Sequence, residues 1–100
     1  MPVADLSEAP VTLRRDGVKE RRVALGKVEA RLVVFPAGFT EPSACRRGHT
    51  GYVVAGTASL SIDGQARDVG AGVVLHLPPG TDHRLTTAKG CTLLLFDSRE

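Results

Sequence analysis

The sequence predicts an all-β domain, a sandwich or barrel of short antiparallel strands. Apolar and polar residues alternate over short segments, and no segment keeps a helical period. Turn signals recur at intervals of about eight to twelve residues, as in β-sandwiches and barrels. Eleven Gly, six Pro and no Trp fit tight turns between short strands. Because 100 residues with 42% hydrophobic content suffice for one modest core, we expect a single domain over residues 1–100.

The first third of the chain supplies an N-terminal extension and two or three strands. We expect residues 1–10 to be an extension and a strand to run roughly from Val11 to Arg14. Asp16–Gly17 predicts a tight hairpin turn, since both central positions of a two-residue loop need positive φ. The segment KVEARLVVF predicts a strand whose core face carries the even-numbered residues Val28, Ala30, Leu32 and Val34.

The second half of the chain continues the strand pattern. GTASLSI places Ala58, Leu60 and Ile62 on one face, and a second Asp-Gly pair follows it. A strand over Val73–Leu77 must end at Pro78 and Pro79, which cannot donate to a sheet ladder. The last strand is CTLLLF, and residues 97–100 are expected to form a polar tail.

Composition argues against several classes of function. The net charge of +2 provides little attraction for phosphates, and four aromatic residues provide few surfaces for base stacking. We therefore expect no nucleic-acid partner. The apolar runs LVVF and LLLF are too short to cross a bilayer, and no membrane association is expected. The first ten residues lack a signal-peptide pattern, so a cytoplasmic location is expected. In that compartment Cys45 and Cys91 are expected to be free thiols, although one disulfide is the alternative.

The stretch from Gly72 to Thr87 resembles the second motif of the cupin superfamily, G-x5-P-x-G-x2-H-x3-N. Gly72, Pro78, Gly80 and His83 stand at the required spacings, and Thr87 replaces the final Asn. The ending of the first motif, H-x-H-x3,4-E-x6-G, matches at Gly56. The resemblance implies a cupin-type jelly-roll β-barrel of short antiparallel strands and places the chain among small single-domain cupins.

Carrying the first motif back from Gly56 places His49 at the family's Glu position, Cys45 at its second His and Ser43 at its first His. In metal-binding cupins these positions hold a divalent transition metal inside the barrel. The resemblance therefore implies Cys45, His49 and His83 as metal ligands. Thiolate and neutral imidazole suit zinc, iron, nickel or copper, and three protein ligands leave a coordination position open. Further pocket candidates share the strand parity or the motifs: Ser43, Arg47, Val53 and Thr87.

Each candidate ligand also has a purely structural interpretation. Cys45 could be a small core residue, and His49 could simply bond to a neighbouring backbone group. His76 has the opposite parity to Leu75 and Leu77, so it is expected on the other face of its strand, near a subunit contact. Cys91 is expected to be a packing residue.

Two functional classes remain open at this stage. The first is a cupin that binds a divalent transition metal and acts on or binds a small polar molecule, with its activity unassigned. The second is a non-catalytic small-ligand binding or sensing module without metal. One fold hosts many activities, so the resemblance does not choose between them. A homodimer is expected in either class, with the N-terminal strand reaching the partner.

Overall fold

The computed structural model describes residues 3–98 as a nearly all-strand antiparallel sheet curled into a half-barrel. Its strands are β1 (Thr12–Leu13), β2 (Lys19–Leu25), β3 (Val28–Phe35), β4 (Phe39–Thr40), β5 (His49–Ile62), β6 (Gln65–Gly70), β7 (Val74–Leu77), β8 (His83–Thr87) and β9 (Cys91–Ser98). One 3-10 turn, Leu6–Glu8, is the helical element within these residues. Over the same range, no helix is long and apolar enough to span a membrane.

The strands follow the order β1-β2-β3-β9-β5-β8-β4, with β6 and β7 each pairing with β5 as well. β5 is 14 residues long and joins the two parts of the sheet. Its first half pairs with β7 and β9, and its second half pairs with β6 and β8. The register shifts between Val53 and Ala55, next to Gly56 with φ +82. A Cβ at Gly56 would lie 2.2 Å from the carbonyl oxygen of Gly90, so this bend requires glycine.

The two Asp-Gly pairs form different turns. Asp63 and Gly64 join β5 to β6 as a two-residue loop, with φ of 47 and 85 and Ile62 paired with Gln65. This confirms the predicted hairpin. Asp16–Gly17 lies in a wider turn, in which the Arg14 amide donates to the Val18 carbonyl at 2.8 Å. The prediction of a two-residue hairpin at that position was wrong.

The β3 face that was predicted to enter the core is largely exposed at Val28 and Val34, although Ala30 on the same face is buried. Val28 and Val34 are 39% and 38% exposed, whereas Arg31, Val33 and Phe35 line the inner cavity. The residues do alternate between two faces, but the face that lines the cavity carries the odd-numbered residues rather than the even-numbered ones. Arg31 lies inside because buried carboxylates on neighbouring strands balance its charge.

The core fills the concave side of the sheet. It consists largely of aliphatic side chains from β3, β5, β7, β8 and β9, with Val18 and Val53 fully buried. Ala58 and Leu60 are buried as the GTASLSI alternation predicted. The opposite face of β3, β5, β7 and β9 leaves large apolar side chains exposed: Val28, Val34, Tyr52, Val54, Val74 and Phe96.

Both chain ends pack differently from the prediction. Within the N-terminal extension, Ala9 is buried, and Arg21 Nη1 donates to the carbonyl of Ser7 at 2.8 Å and to that of Ala9 at 2.7 Å. The strand expected near Val11–Arg14 is shorter, covering Thr12–Leu13. At the other end, β9 continues through Asp97 and Ser98. The first two residues of the predicted polar tail therefore belong to this strand. Residues 1–2 of the extension and 99–100 of the tail lie outside the described residues.

Candidate metal centre

Two loops bring the two motif segments together. Cys45 and His83 form an isolated antiparallel bridge, in which each residue donates its amide to the other's carbonyl, at 2.7 and 2.9 Å. The Gly80 amide donates to the Arg46 carbonyl at 2.9 Å, and Arg46 Nε lies 3.0 Å from Asp82 Oδ1. Cys45 is therefore held beside His83 by backbone pairing, although it lies outside the named strands.

Gly48 allows the loops to approach this closely. A Cβ at this position would lie 2.7 Å from Cδ and 2.9 Å from the backbone nitrogen of Pro79. Pro79, the second of the two prolines that follow β7, thus packs directly on the glycine that precedes β5. His49, the first residue of β5, then projects from a fixed point.

The side chains of Cys45, His49 and His83 converge. One ligand atom from each lies within 4.8 Å of the other two. The imidazoles of His49 and His83 are 5.3 Å apart between centroids and meet edge to face at 68°. Cys45 and His49 are partly exposed, and His83 is buried.

Asp97 fixes the orientation of the His49 ring. Its Oδ1 lies 2.9 Å from His49 Nδ1, and its Oδ2 accepts from Arg31 Nε at 2.7 Å. Burial raises the pKa of Asp97, but the His49 hydrogen bond and the Arg31 charge outweigh it and hold this pKa below its ordinary value. Because the carboxylate is ionised, Nδ1 of His49 carries the proton and Nε2 is left for another partner.

Arg31 extends this contact into a chain of buried charges. Its Nη1 lies 3.5 Å from Glu20 Oε1, and Glu20 also pairs with Arg22. Glu20 and Asp97 are each 6% exposed, and both carboxylates are balanced by arginine. The network links β2, β3, β9 and β5, so the orientation of His49 depends on four strands.

His83 is oriented by the backbone. Its Nε2 lies 2.9 Å from the carbonyl oxygen of Arg47. A carbonyl can only accept, so Nε2 carries the proton and Nδ1 is left for another partner. Both imidazoles thus have one nitrogen held by hydrogen bonding and one that is available.

The donor set fits a transition metal. Ligation by sulfur at about 2.3 Å and by nitrogen at about 2.0–2.1 Å holds ligand atoms roughly 3.3–3.8 Å apart in tetrahedral geometry. The observed limit of 4.8 Å exceeds this spacing by no more than about 1.5 Å. A thiolate and two imidazoles with neighbouring hydrogen-bond acceptors are characteristic of zinc and related ions.

The candidate ligands lie at the wall of an internal cavity of about 180 Å³. Aliphatic and aromatic side chains form much of its lining, among them Val33, Phe39, Leu60, Leu85 and Leu93. Its charged lining consists of Arg14, Arg31, Glu41 and Arg47. The cavity lining therefore combines many apolar side chains with four charged ones and with the Cys45, His49 and His83 group.

The other pocket candidates are distributed unevenly. Arg47 lines the cavity, whereas Ser43, Val53 and Thr87 do not. Ser43 is exposed in the loop before Cys45, and Val53 is fully buried in the core. Thr87 donates from Oγ1 to the Thr57 carbonyl at 2.6 Å and accepts from the Gly90 amide, so its hydroxyl secures a turn.

His76 lies outside the cavity. It is exposed on β7, opposite to the buried Leu75 and Leu77, as its parity predicted. Its Nδ1 lies 3.1 Å from the Thr50 hydroxyl. Cys91 is buried and belongs to the core, and burial raises the pKa of its thiol. Both cysteines are free thiols.

Sequence reasoning missed Asp97 and Arg31. Asp97 follows the apolar run LLLF and was assigned to the polar tail, while Arg31 was assigned to the solvent face of β3. One signal was present, since an Asp directly after an apolar strand can face inward when the alternation continues. The pairing of β3 with β9, which places Arg31 opposite Leu95 and Glu29 opposite Asp97, was not visible in the chain.

Several solved structures share this fold. A cupin described as RmlC-like, from Shewanella frigidimarina, has a TM-score of 0.84 at 22% identity, covering 97% of this chain and 89% of that chain. The polyketide cyclase RemF from Streptomyces resistomycificus also scores 0.84, at 18% identity, covering 100% and 80%. A sugar phosphate isomerase of the cupin superfamily from Silicibacter pomeroyi scores 0.77 at 18% identity, covering 99% and 76%.

At these identities the structural likeness establishes the fold. No curated protein matches the sequence. The sequence itself matches the family described as Cupin domain over residues 31–97, which includes both motif segments and Asp97. The fold and this match agree, and the chain belongs to the cupin family.

Proposed function

We propose that this protein binds one divalent transition metal through Cys45, His49 and His83 and uses it to bind or act on a small polar molecule in the adjoining cavity. The single observation that carries the proposal is the convergence of the three ligand atoms within 4.8 Å of one another. These atoms come from two chain segments that the sequence separates. Their side chains also have the chemistry that zinc, iron, nickel or copper requires.

The hydrogen bonds around the imidazoles support this proposal. A metal-binding histidine usually donates its other ring N–H to a carboxylate or a backbone carbonyl. His49 donates to Asp97, and His83 donates to the Arg47 carbonyl.

A bound divalent metal would supply Lewis-acid polarisation of an oxygen on the small molecule. This chain's residues do the remaining work. Asp97 holds the His49 ring in one tautomer, and the apolar lining of the cavity limits the water around the bound molecule. Glu41 lines the same cavity, but its Oε1 accepts from the Leu85 amide at 2.8 Å, which fixes its carboxylate to β8.

The proposal is tested by elemental analysis of protein purified without an affinity tag. We expect about one transition-metal ion per chain, and we expect Cys45→Ala, His49→Ala and His83→Ala each to lose most of it. His76→Ala is the matched control, because it removes an exposed imidazole from the outer face and should retain the metal.

Two other outcomes would change the conclusion. Retention of metal by the His49→Ala variant would remove that residue from the ligand set. If the wild-type protein contained no metal and took up none, but an organic molecule co-purified in the cavity, the chain would be a ligand-binding module without metal.

A further inference from the structure

Arg31 has more hydrogen-bonding capacity than its neighbours use. A guanidinium has five N–H donors. Nε donates to Asp97 Oδ2 at 2.7 Å, whereas Nη1 lies 3.5 Å from Glu20 Oε1, beyond a normal hydrogen-bond distance. Neither Nη nitrogen forms a hydrogen bond to any part of the chain between residues 3 and 98.

These unused donors can be reached from the cavity. The Arg31 side chain is 11% exposed and lines the internal cavity. Within the described chain, no fully buried side-chain nitrogen or oxygen lacks a hydrogen-bond partner. The Nη groups are therefore accessible to solvent molecules, and an acceptor that enters the cavity could replace those molecules.

The carboxylates that pair with Arg31 do not line the cavity. Asp97 and Glu20 therefore contact the guanidinium without contributing to the cavity lining, whereas Arg31 itself does line the cavity. Because Asp97 also contacts His49, a single carboxylate separates the guanidinium from a candidate metal ligand.

The charged lining of the cavity favours an anion. Three arginines, Arg14, Arg31 and Arg47, line it with one acid, Glu41. Arg14 is paired with Asp16 at 2.7 Å, but the Arg47 side chain has no ion pair with residues 3–98. A thiolate and two neutral imidazoles also leave a divalent ion with a net positive charge.

We propose that the cavity binds a small monocarboxylate whose carboxylate accepts hydrogen bonds from the Nη groups of Arg31. Cys45, His49 and His83 line the same cavity, so a hydroxyl or carbonyl oxygen on the neighbouring carbon would be the group offered to a metal bound there. The planar guanidinium fork matches a carboxylate in two parallel hydrogen bonds. This inference rests on the proposed metal site and names the class of molecule that the site accepts.

The same surroundings disfavour a dianion such as a phosphate monoester. Asp97 and Glu20 already place two negative charges on the far side of Arg31, so each further negative charge meets stronger repulsion. The volume of about 180 Å³ also limits the ligand to a small molecule.

The test uses the untagged protein loaded with cobalt(II), whose absorption reports thiolate ligation at Cys45. Lactate and lactamide are then titrated into the loaded protein, and the change in the cobalt spectrum gives each affinity. The two probes share the 2-hydroxyl group and differ in the carboxylate. We expect lactate to bind at least tenfold more tightly than lactamide, with inorganic phosphate weaker than lactate.

The variants are Arg31→Lys, which keeps the charge but loses the fork, and Arg67→Ala, an exposed arginine on β6 outside the cavity. We expect Arg31→Lys to reduce the preference for lactate to threefold or less and Arg67→Ala to retain it. A full preference in folded, cobalt-loaded Arg31→Lys overturns the inference.

Other results separate this inference from the proposed function. If cobalt binds and the wild-type protein does not distinguish lactate from lactamide, the carboxylate site is wrong and the metal site stands. That comparison holds even if Arg31→Lys does not fold. If cobalt shows no thiolate ligation, both the metal site and the inference built on it fail.

Discussion

Among single residues, Asp97 is not a candidate ligand, but it controls the orientation of the candidate ligand His49. It accepts from Arg31 and contacts His49 with its two oxygens, so that ring orientation, tautomer and charge balance depend on one carboxylate. Carboxylates of this kind orient metal-binding histidines and raise their basicity.

Replacing Asp97 by Asn should weaken metal binding by about 10–100-fold, the usual effect of losing such a partner. The amide oxygen can still accept from His49, but the negative charge is lost. Zinc affinity measured by competition with a chelator tests this. Asp68→Asn is the matched control, because Asp68 is exposed on β6 and does not line the cavity. Equal affinities in the wild-type protein and Asp97→Asn, with both folded by circular dichroism, would show that Asp97 has no role at the site.

The two thiols should differ in reactivity. Cys45 is partly exposed at the cavity, whereas Cys91 is buried and burial raises its pKa. Since the thiolate is the nucleophile, a maleimide should label Cys45 first in the folded, metal-free protein. Bound zinc should protect Cys45. Mass spectrometry of the labelled peptides measures both effects, and labelling of Cys91 before Cys45 contradicts the assignment.

At this scale, motif spacing located the three candidate ligands but not the residues that orient them. Cys45, His49 and His83 were found because their spacings resemble those of a known family. Asp97 and Arg31 were not, because a charged residue in a strand is normally assigned to the solvent face. Only the strand pairing shows that the two charges neutralise each other inside.

At the scale of elements, the candidate metal centre depends on how closely the loop over residues 45–48 approaches the loop over residues 78–82. Backbone hydrogen bonds hold them together, and the contact between Gly48 and Pro79 sets their separation. The stretch from Ser43 to His49 is not one extended strand, since β5 begins at His49. Cys45 reaches the site through its bridge to His83 instead.

Gly48→Ala should push these loops apart. The new Cβ would lie within 3.0 Å of three atoms of Pro79, and overpacking of this kind costs about 1–3 kcal/mol. We expect a lower melting temperature together with weaker zinc binding. Gly70→Ala is the control, because the nearest atom to its Cβ would be 3.7 Å away. If Gly48→Ala binds zinc as the wild-type protein does, the loop separation does not control the site.

The prediction of β3 failed for a reason that applies to curved sheets in general. An apolar and polar alternation normally indicates the buried face, but here the convex side also carries valines and leucines. The inner side carries Arg31 because the cavity and the buried acids accommodate it. The presence of the strand was predictable. Which of its faces lies inside depends on the neighbouring strands β2 and β9.

For the whole molecule, the exposed apolar face on β3, β5, β7 and β9 is a surface feature that the cavity does not explain. Val74 is 72% exposed, and Tyr52, Val54 and Phe96 are each more than 40% exposed. Contiguous apolar patches of this kind usually mark contacts with other molecules. We propose that a second copy of the chain covers this face, and that β1, at the edge of the same sheet, extends the contact.

Light scattering should therefore give a dimer at micromolar concentration. Introducing charge with the double substitution Tyr52→Lys and Val74→Lys should shift the protein to monomer, because these paired residues would carry repelling charges across the interface. Ala66→Lys, on exposed β6, should remain dimeric. A wild-type monomer contradicts the proposal, whereas a dimer that is broken only by Val11→Lys would place the contact at the N-terminal strand.

The most direct test of the metal site is a crystal structure of the untagged protein with zinc, supported by an anomalous map at the zinc edge. We predict one ion at the wall of the cavity, with Cys45 Sγ at about 2.3 Å and one nitrogen each of His49 and His83 at about 2.0–2.1 Å. The hydrogen bonds from His49 to Asp97 and from His83 to the Arg47 carbonyl should persist. Zinc bound elsewhere, or a cavity in which these three side chains turn away from one another, would contradict the assignment.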